Sequence, residues 1–202
     1  MKNRNFIITV MLSMCLTAPC FAKTTENTAF QFRGVEWGIP MTDLITQIID
    51  NEYENGLDKD GYSVGIDKFV IFDTTVGGYK CEADYFLVDD KFADGAYFLK
   101  EEHSNIEQYY SDYKDLIQKY TDKYGDPLYN TGEWIGDSLY KDKPEKYGMA
   151  VGKGDLKLSA RWEAEDGSAI EFLMTGDNFD IVTRIDYLCP DYSNDTTSDE
   201  GI

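Results

Sequence analysis

Two stretches of this chain alternate apolar and polar residues with period two and are broken by residues suited to tight turns. That pattern dictates antiparallel sheet. In the first stretch Phe69 and Ile71, then Tyr79, Cys81, Ala83, Tyr85 and Leu87 recur at alternate positions, with Gly77-Gly78 and Asp89-Asp90 between the runs. Successive strand side chains point to opposite faces, and two-residue hairpin turns need the left-handed backbone that Gly, Asn and Asp adopt most readily. Three strands are expected near 67–75, 79–88 and 92–101. In the second stretch Leu156, Leu158, Ala160, Trp162 and Ala164 alternate with Lys157, Ser159, Arg161, Glu163 and Glu165, so one face is buried and the other wet. Asp166-Gly167 supplies its hairpin turn, and strands are expected near 147–153, 156–165, 168–175 and 181–189.

Each stretch follows a helical pattern. Pro40 suits a first helical position, and Met41, Leu44, Ile45, Ile48 and Ile49 fall on one face of a helix of about 12 residues. Ser104 and Glu107 have capping-box spacing, in which the hydroxyl and the carboxylate each satisfy a free backbone N–H. Ile106, Tyr109, Tyr110, Tyr113, Leu116, Ile117 and Tyr120 then form one stripe that Gly125 and Pro127 end, and a linker containing Trp134 follows. The expected fold is α+β: two helix-then-antiparallel-meander units, about 30–103 and 104–192, within one domain over 30–192, both helices on one face of the sheet. Sliding 81–105 onto 170–194 without gaps matches Glu82 with Glu171, Leu99 with Leu188, Ser104 with Ser193 and Asn105 with Asn194, which suggests an internal duplication.

The N-terminus has secretory layout. Lys2 and Arg4 precede an apolar run from Phe6 to Leu16, followed by Pro19 and a small-residue site at Ala22. A signal peptide over 1–22 and a flexible leader over 23–29 are expected, as is a disordered acidic tail over 193–202. The apolar run is about half the roughly 20 residues that span a bilayer, so no stable membrane insertion is expected after cleavage. The expected location is the periplasm, cell envelope or extracellular space. Loss of Lys2 and Arg4 takes the formal net charge from -19 to -21. So acidic a chain repels phosphate backbones, and nucleic-acid partners are not expected. Cleavage also removes Cys15 and Cys20, leaving Cys81 and Cys189 as a candidate disulfide in an oxidising compartment, with two buried thiols as the alternative.

Phe32-Arg33-Gly34-Val35-Glu36-Trp37-Gly38 before an amphipathic helix resembles the opening of a group of small exported bacterial proteins of unknown function. Lys123-Tyr124-Gly125-Asp126-Pro127, Trp134 and Ile185-Asp186-Tyr187 extend the resemblance over most of the chain. Ile39-Pro40 departs from it, standing where such proteins carry a Ser or Thr cap, so Pro40 must supply the start geometry. More distantly, a helix and then a meander, used twice, resembles the β-lactamase-inhibitory-protein fold and the SmpA/OmlA-type lipoproteins. That resemblance implies protein binding without catalysis. It transfers no site residue, and the lipid anchor of the second group is missing, since Met14 precedes Cys15 and Pro19 precedes Cys20.

Catalytic patterns fail one by one. His103 is the only histidine, which excludes multi-histidine metal sites, and nothing marks a nucleophile for it to activate. Ser111 and Lys114 have Ser-x-x-Lys spacing but lie in mid-helix without companion motifs. Asp58 and Asp60 beside Gly61 are similar to a calcium loop that lacks its first ligand, having Gly56 there, and ends on Asp67 instead of Glu. Glu163 and Glu165 project from one wet strand face, whereas glycoside hydrolysis needs carboxylates across a cleft. Gly152-Lys153-Gly154 lies between expected strands and reads as a turn. No cofactor is expected. The 15 tyrosines and three tryptophans are the better signal, because exposed aromatic rings anchor binding surfaces. Trp134 and Tyr140 are the candidate binding surface. The expectation is a non-catalytic protein- or peptide-binding module; the alternatives are an envelope hydrolase using acidic residues and a polysaccharide-binding module using Trp134 and the tyrosines.

Overall fold

Residues 27–54 and 61–191 are described by a computed structural model. The expected signal peptide, the Asp58 and Asp60 loop and the acidic tail lie outside them. The described elements run α1 (Met41–Glu54), β1 (Tyr62–Val64), β2 (Lys68–Val76), β3 (Tyr79–Val88), β4 (Lys91–Leu99), α2 (Glu107–Tyr124), β5 (Tyr129–Trp134), a 3-10 turn (Pro144–Lys146), α3 (Tyr147–Gly152), β6 (Leu156–Glu163), β7 (Ala169–Asp177) and β8 (Asp180–Leu188). The fold is α+β. Its eight described strands form one antiparallel sheet in the order β1-β2-β3-β4-β8-β7-β6-β5, so two meanders meet along their last strands. Among the described residues no helix is long and apolar enough to cross a membrane.

The apolar spacings explain how the helices sit. Leu44 and Ile48 of α1, one turn apart, are buried, as are Tyr113, Leu116, Ile117 and Tyr120 of α2, and all join a core with Cys81, Ala83 and Tyr85 of β3 and Trp162 and Phe172 of the second meander. Pro40 starts α1 by accepting the Leu44 N–H at 3.0 Å. The Phe32 ring covers Gly95 on β4, where an added Cβ would come within 2.2 Å of the ring. Only glycine lets a ring lie that close to the sheet. Phe32 there meets Tyr85, Phe92 and Tyr97 of the first meander and Tyr187 of the second. The Trp37 indole N–H reaches the Phe30 carbonyl at 2.8 Å and its ring stacks on Phe92.

Several expectations are corrected. Residues 147–152, expected as a strand, form α3, because Gly148 and Gly152 let the backbone press against Ile106 and Glu107, with an added Cβ at 2.5 Å from the Ile106 carbonyl or 2.6 Å from its Cδ1. The expected linker around Trp134 is strand β5. Ser104 caps nothing: the Asn105 Oδ1 accepts the Glu107 N–H at 3.1 Å, and the Glu107 carboxylate accepts the Gly148 N–H at 2.9 Å, tying α3 to the start of α2. Asn27 and Thr28, placed in the leader, have carbonyls that accept N–H groups of Glu165 and Asp166. The disulfide does not form. Cys81 and Cys189 are both free, Cys81 opposite Leu99 at one end of β4 and Cys189 bonded through its N–H to Ala93 near the other. Six residues of strand, roughly 20 Å, separate these positions, far beyond disulfide reach.

The two meanders correspond most closely at their turns. Asp89 and Asp90 have φ of 52° and 60°, and Asn178 and Phe179, 89 positions later, have 48° and 70°. The gapless superposition fails in β4, because a bulge after Phe86 shifts the β3–β4 register by one. Leu99 therefore shares the helix-covered face with Cys81, while Leu188, paired with Asp94, lies on the opposite face.

Candidate functional site

Among the described residues β5 is the last strand of the sheet and pairs only with β6. Its register with β6 is unbroken from Tyr129 opposite Arg161 to Trp134 opposite Leu156. The ladder continues to Ile135, whose N–H reaches the Asp155 carbonyl at 2.8 Å. Antiparallel ladders alternate inward and outward backbone groups, so the odd residues bond β6 and the N–H and C=O of Asn130, Gly132 and Trp134 face the open edge. The same three residues pair with Ala160, Leu158 and Leu156, and so lie on the helix-covered face.

Beside that edge runs α2. Tyr110, Tyr113, Lys114, Ile117 and Gln118 recur at helical spacing and present one side of the helix to β5, enclosing a groove of about 510 Å³. Leu156, Leu158 and Ile117 form its floor, and Trp134 and Tyr147 close one end, with ring centroids 5.3 Å apart and edge to face. Gly132 brings no side chain to this face, and the floor leucines close in on it: an added Cβ would lie 3.1 Å from Leu156 and 3.2 Å from Leu158, tighter than ordinary contact. The Tyr113 hydroxyl is buried without a hydrogen-bond partner, its side chain only 3% exposed, and burial raises its pKa. Such a group is costly unless something in the groove satisfies it. Lys114, its ammonium 4.6 Å from the centre of the Tyr110 ring, is the only charged residue lining the groove among the described residues. Leu128, Ile135 and Leu139, flanking β5, are 68%, 58% and 84% exposed.

Of the two expected surface aromatics, the structure brings Trp134 into this groove and places Tyr140 elsewhere, its N–H on Ser138 Oγ and the Lys153 ammonium 5.3 Å from the centre of its ring. The sequence missed Gly132, Tyr113 and Lys114 as a set, because the strand that joins them reads as a linker. The other motifs are occupied. His103 lies 2.5 Å from Asp112 with its ring against Tyr109, and the Ser111 hydroxyl donates to the Glu107 carbonyl while Lys114 sits over Tyr110. Glu163 lies 3.7 Å from Arg161. Among the described residues no group of three or more His, Cys, Asp or Glu is placed to hold a metal.

Acidic side chains do converge, but on the open face of the sheet. A single row runs across it through Asp84, Ala96, Asp186, Glu171 and Arg161. Arg184 is central, 3.1 Å from Asp94 and 2.5 Å from Asp186, with its guanidinium over the rings of Phe86 and Phe98. Arg161 pairs with Glu171, and Lys68 with Asp84. Burial raises the carboxyls of Asp84, Asp94 and Asp186, and the Asp186 charge pushes Asp94 further up while Arg184 opposes both.

Compared with protein-family models, curated proteins and solved structures, the chain matches none.

Proposed function

We propose that this is an exported, non-catalytic binding protein that takes a protein or peptide partner in the groove between α2 and β5. The observation that carries this reading is the pairing of an open strand edge with an aromatic-walled groove whose floor is apolar. Backbone groups at an edge give affinity to an extended chain, and rings of the Trp134, Tyr110 and Tyr147 kind supply large contact area at low entropic cost. The corresponding turns of the two meanders, each half opening with a helix, support duplication of one helix-then-meander unit.

A photo-crosslinking residue at Thr131, on the exposed strand, tests the reading in the exporting cell, with the same residue at Val64 on β1 as control. A reproducible protein adduct from position 131 and not from 64 is expected. Adducts to no protein, combined with glycan-array binding lost in Trp134→Ala, overturn it in favour of a polysaccharide-binding module.

A further inference from the structure

We propose that the occupant of this groove binds as an added strand: an extended peptide segment that continues the ladder beyond β5, seats one apolar side chain over Gly132 and sets a carboxylate against Lys114. This rests on the groove reading and specifies its ligand.

The edge is built for pairing. Proteins protect exposed edges with proline, lysine, bulges or very short strands. β5 has six residues, no proline or lysine and no bulge, and its one charge, Glu133, lies on the face away from the groove. The outward N–H and C=O groups of Asn130, Gly132 and Trp134 alternate at the spacing an added strand needs. Its alternate side chains then enter the groove on the α2 side.

Gly132 sets the first specificity. Asn130 and Trp134 carry side chains on the groove face, and between them Gly132 carries none, so that Leu156 and Leu158 close in beside its backbone. A cross-strand apolar or aromatic side chain can lie over an edge glycine, which has no side chain of its own to meet it. Tyr113, whose buried hydroxyl has no hydrogen-bond partner, lines the same groove from α2.

Lys114 sets the second. In a chain of net charge -19, the groove lining carries this one ammonium and no carboxylate, and no carboxylate lies within ion-pair distance of it among the described residues. An acidic side chain or a C-terminal carboxylate satisfies it. The same net charge disfavours a second copy of this chain as occupant, since two such molecules repel.

The test uses the full secreted chain and terminally blocked heptapeptides of alternating Thr and Val, with the central groove-facing residue Phe, Leu or Ala and a second groove-facing residue Glu, Gln or Lys. Fluorescence anisotropy should give about tenfold tighter binding for Phe or Leu than for Ala, and for Glu than for Lys at low salt. Lys114→Gln, an exposed change on α2 that leaves the fold intact, should erase the Glu preference alone. N-methylation of the peptide N–H groups that face β5 should abolish binding, and the peptide should slow hydrogen exchange at Asn130, Gly132 and Trp134. If position 131 crosslinks a protein while the heptapeptides bind no better than their N-methylated forms, or leave those three amides unprotected, the added strand is refuted and the groove reading stands. If no protein crosslinks there and glycans bind, the reading itself falls.

Discussion

Replacing Asp94 with Asn should remove a pH dependence of stability that the open sheet face builds in. Asp94 is 8% exposed, opposite Phe86 and Leu188, with Arg184 at 3.1 Å. Burial and the neighbouring Asp186, with smaller contributions from Glu171 and Asp84, push its carboxyl up to about 8 against the pull of Arg184; burial raises Asp186 to about 6. In the unfolded chain both return to about 4. Between these limits the folded protein binds more protons than the unfolded one, so stability is fully present below about pH 4 and falls as pH rises towards about 8. One proton of difference gives a slope of about 1.4 kcal/mol per pH unit. Exposed carboxylates are ionised in both states above about pH 5 and drop out of the comparison. Urea unfolding at pH 5, 6, 7 and 8 measures the slope directly. Asp94→Asn keeps the side-chain shape and cannot ionise, so its slope should be shallower and its stability relative to wild type should rise with pH. Equal slopes, or wild-type stability that rises across this range, would refute the reasoning.

Other consequences follow from single contacts. Phe32→Ala should cost about 3–5 kcal/mol in thermal or urea unfolding, because one ring joins both meanders. Gly95→Ala should cost about 1–3 kcal/mol by forcing a Cβ into that ring, and pairing it with Phe32→Leu should recover part of the loss. Thiol titration of native protein should label Cys189 before Cys81, whose thiol burial pushes up to about 12, and denatured non-reduced protein should show both thiols of the domain. Trp134→Ala should weaken partner binding by about 2 kcal/mol or more while leaving the melting cooperative, since its ring closes one end of the groove.

The regular parts of the fold were legible because their patterns are local. Cys81, Ala83 and Tyr85 alternate into the core, and Tyr113, Leu116, Ile117 and Tyr120 form the buried stripe of α2, as their spacing dictates. What failed depends on neighbours distant in sequence. Tyr147, Met149 and Val151 alternate like a strand, yet Gly148, Ala150 and Gly152 are what decide the structure, by letting a short helix pack closely against the start of α2. Asn130-Thr131-Gly132-Glu133 has weak strand propensity and the chemistry of a turn; it becomes β5 because β6 supplies a ladder. Asp84, Asp94 and Asp186 fall on the side of their strands away from the helices. They are buried because Phe86, Phe98 and Arg184 from adjacent strands lie around them, a grouping that only the strand register creates.

The same contrast bears on the proposed function. Where the two halves correspond, at paired turns 89 residues apart and along the β4–β8 seam, they serve the sheet. Where they differ, they build the groove. The first half ends in β1, three residues joined to β2 by a short turn, whereas the second ends in the six residues of β5, joined to β6 by a segment that holds α3. That inserted segment delivers Tyr147 against both Trp134 and Tyr110 and ties Gly148 to Glu107, so the wall of the groove is fixed to the helix that forms its other side. The first meander is built without any such segment. Both halves end in an edge strand, but only the second has a long one with a glycine on its groove face and a braced aromatic wall beside it, which is the arrangement the proposed binding surface calls for.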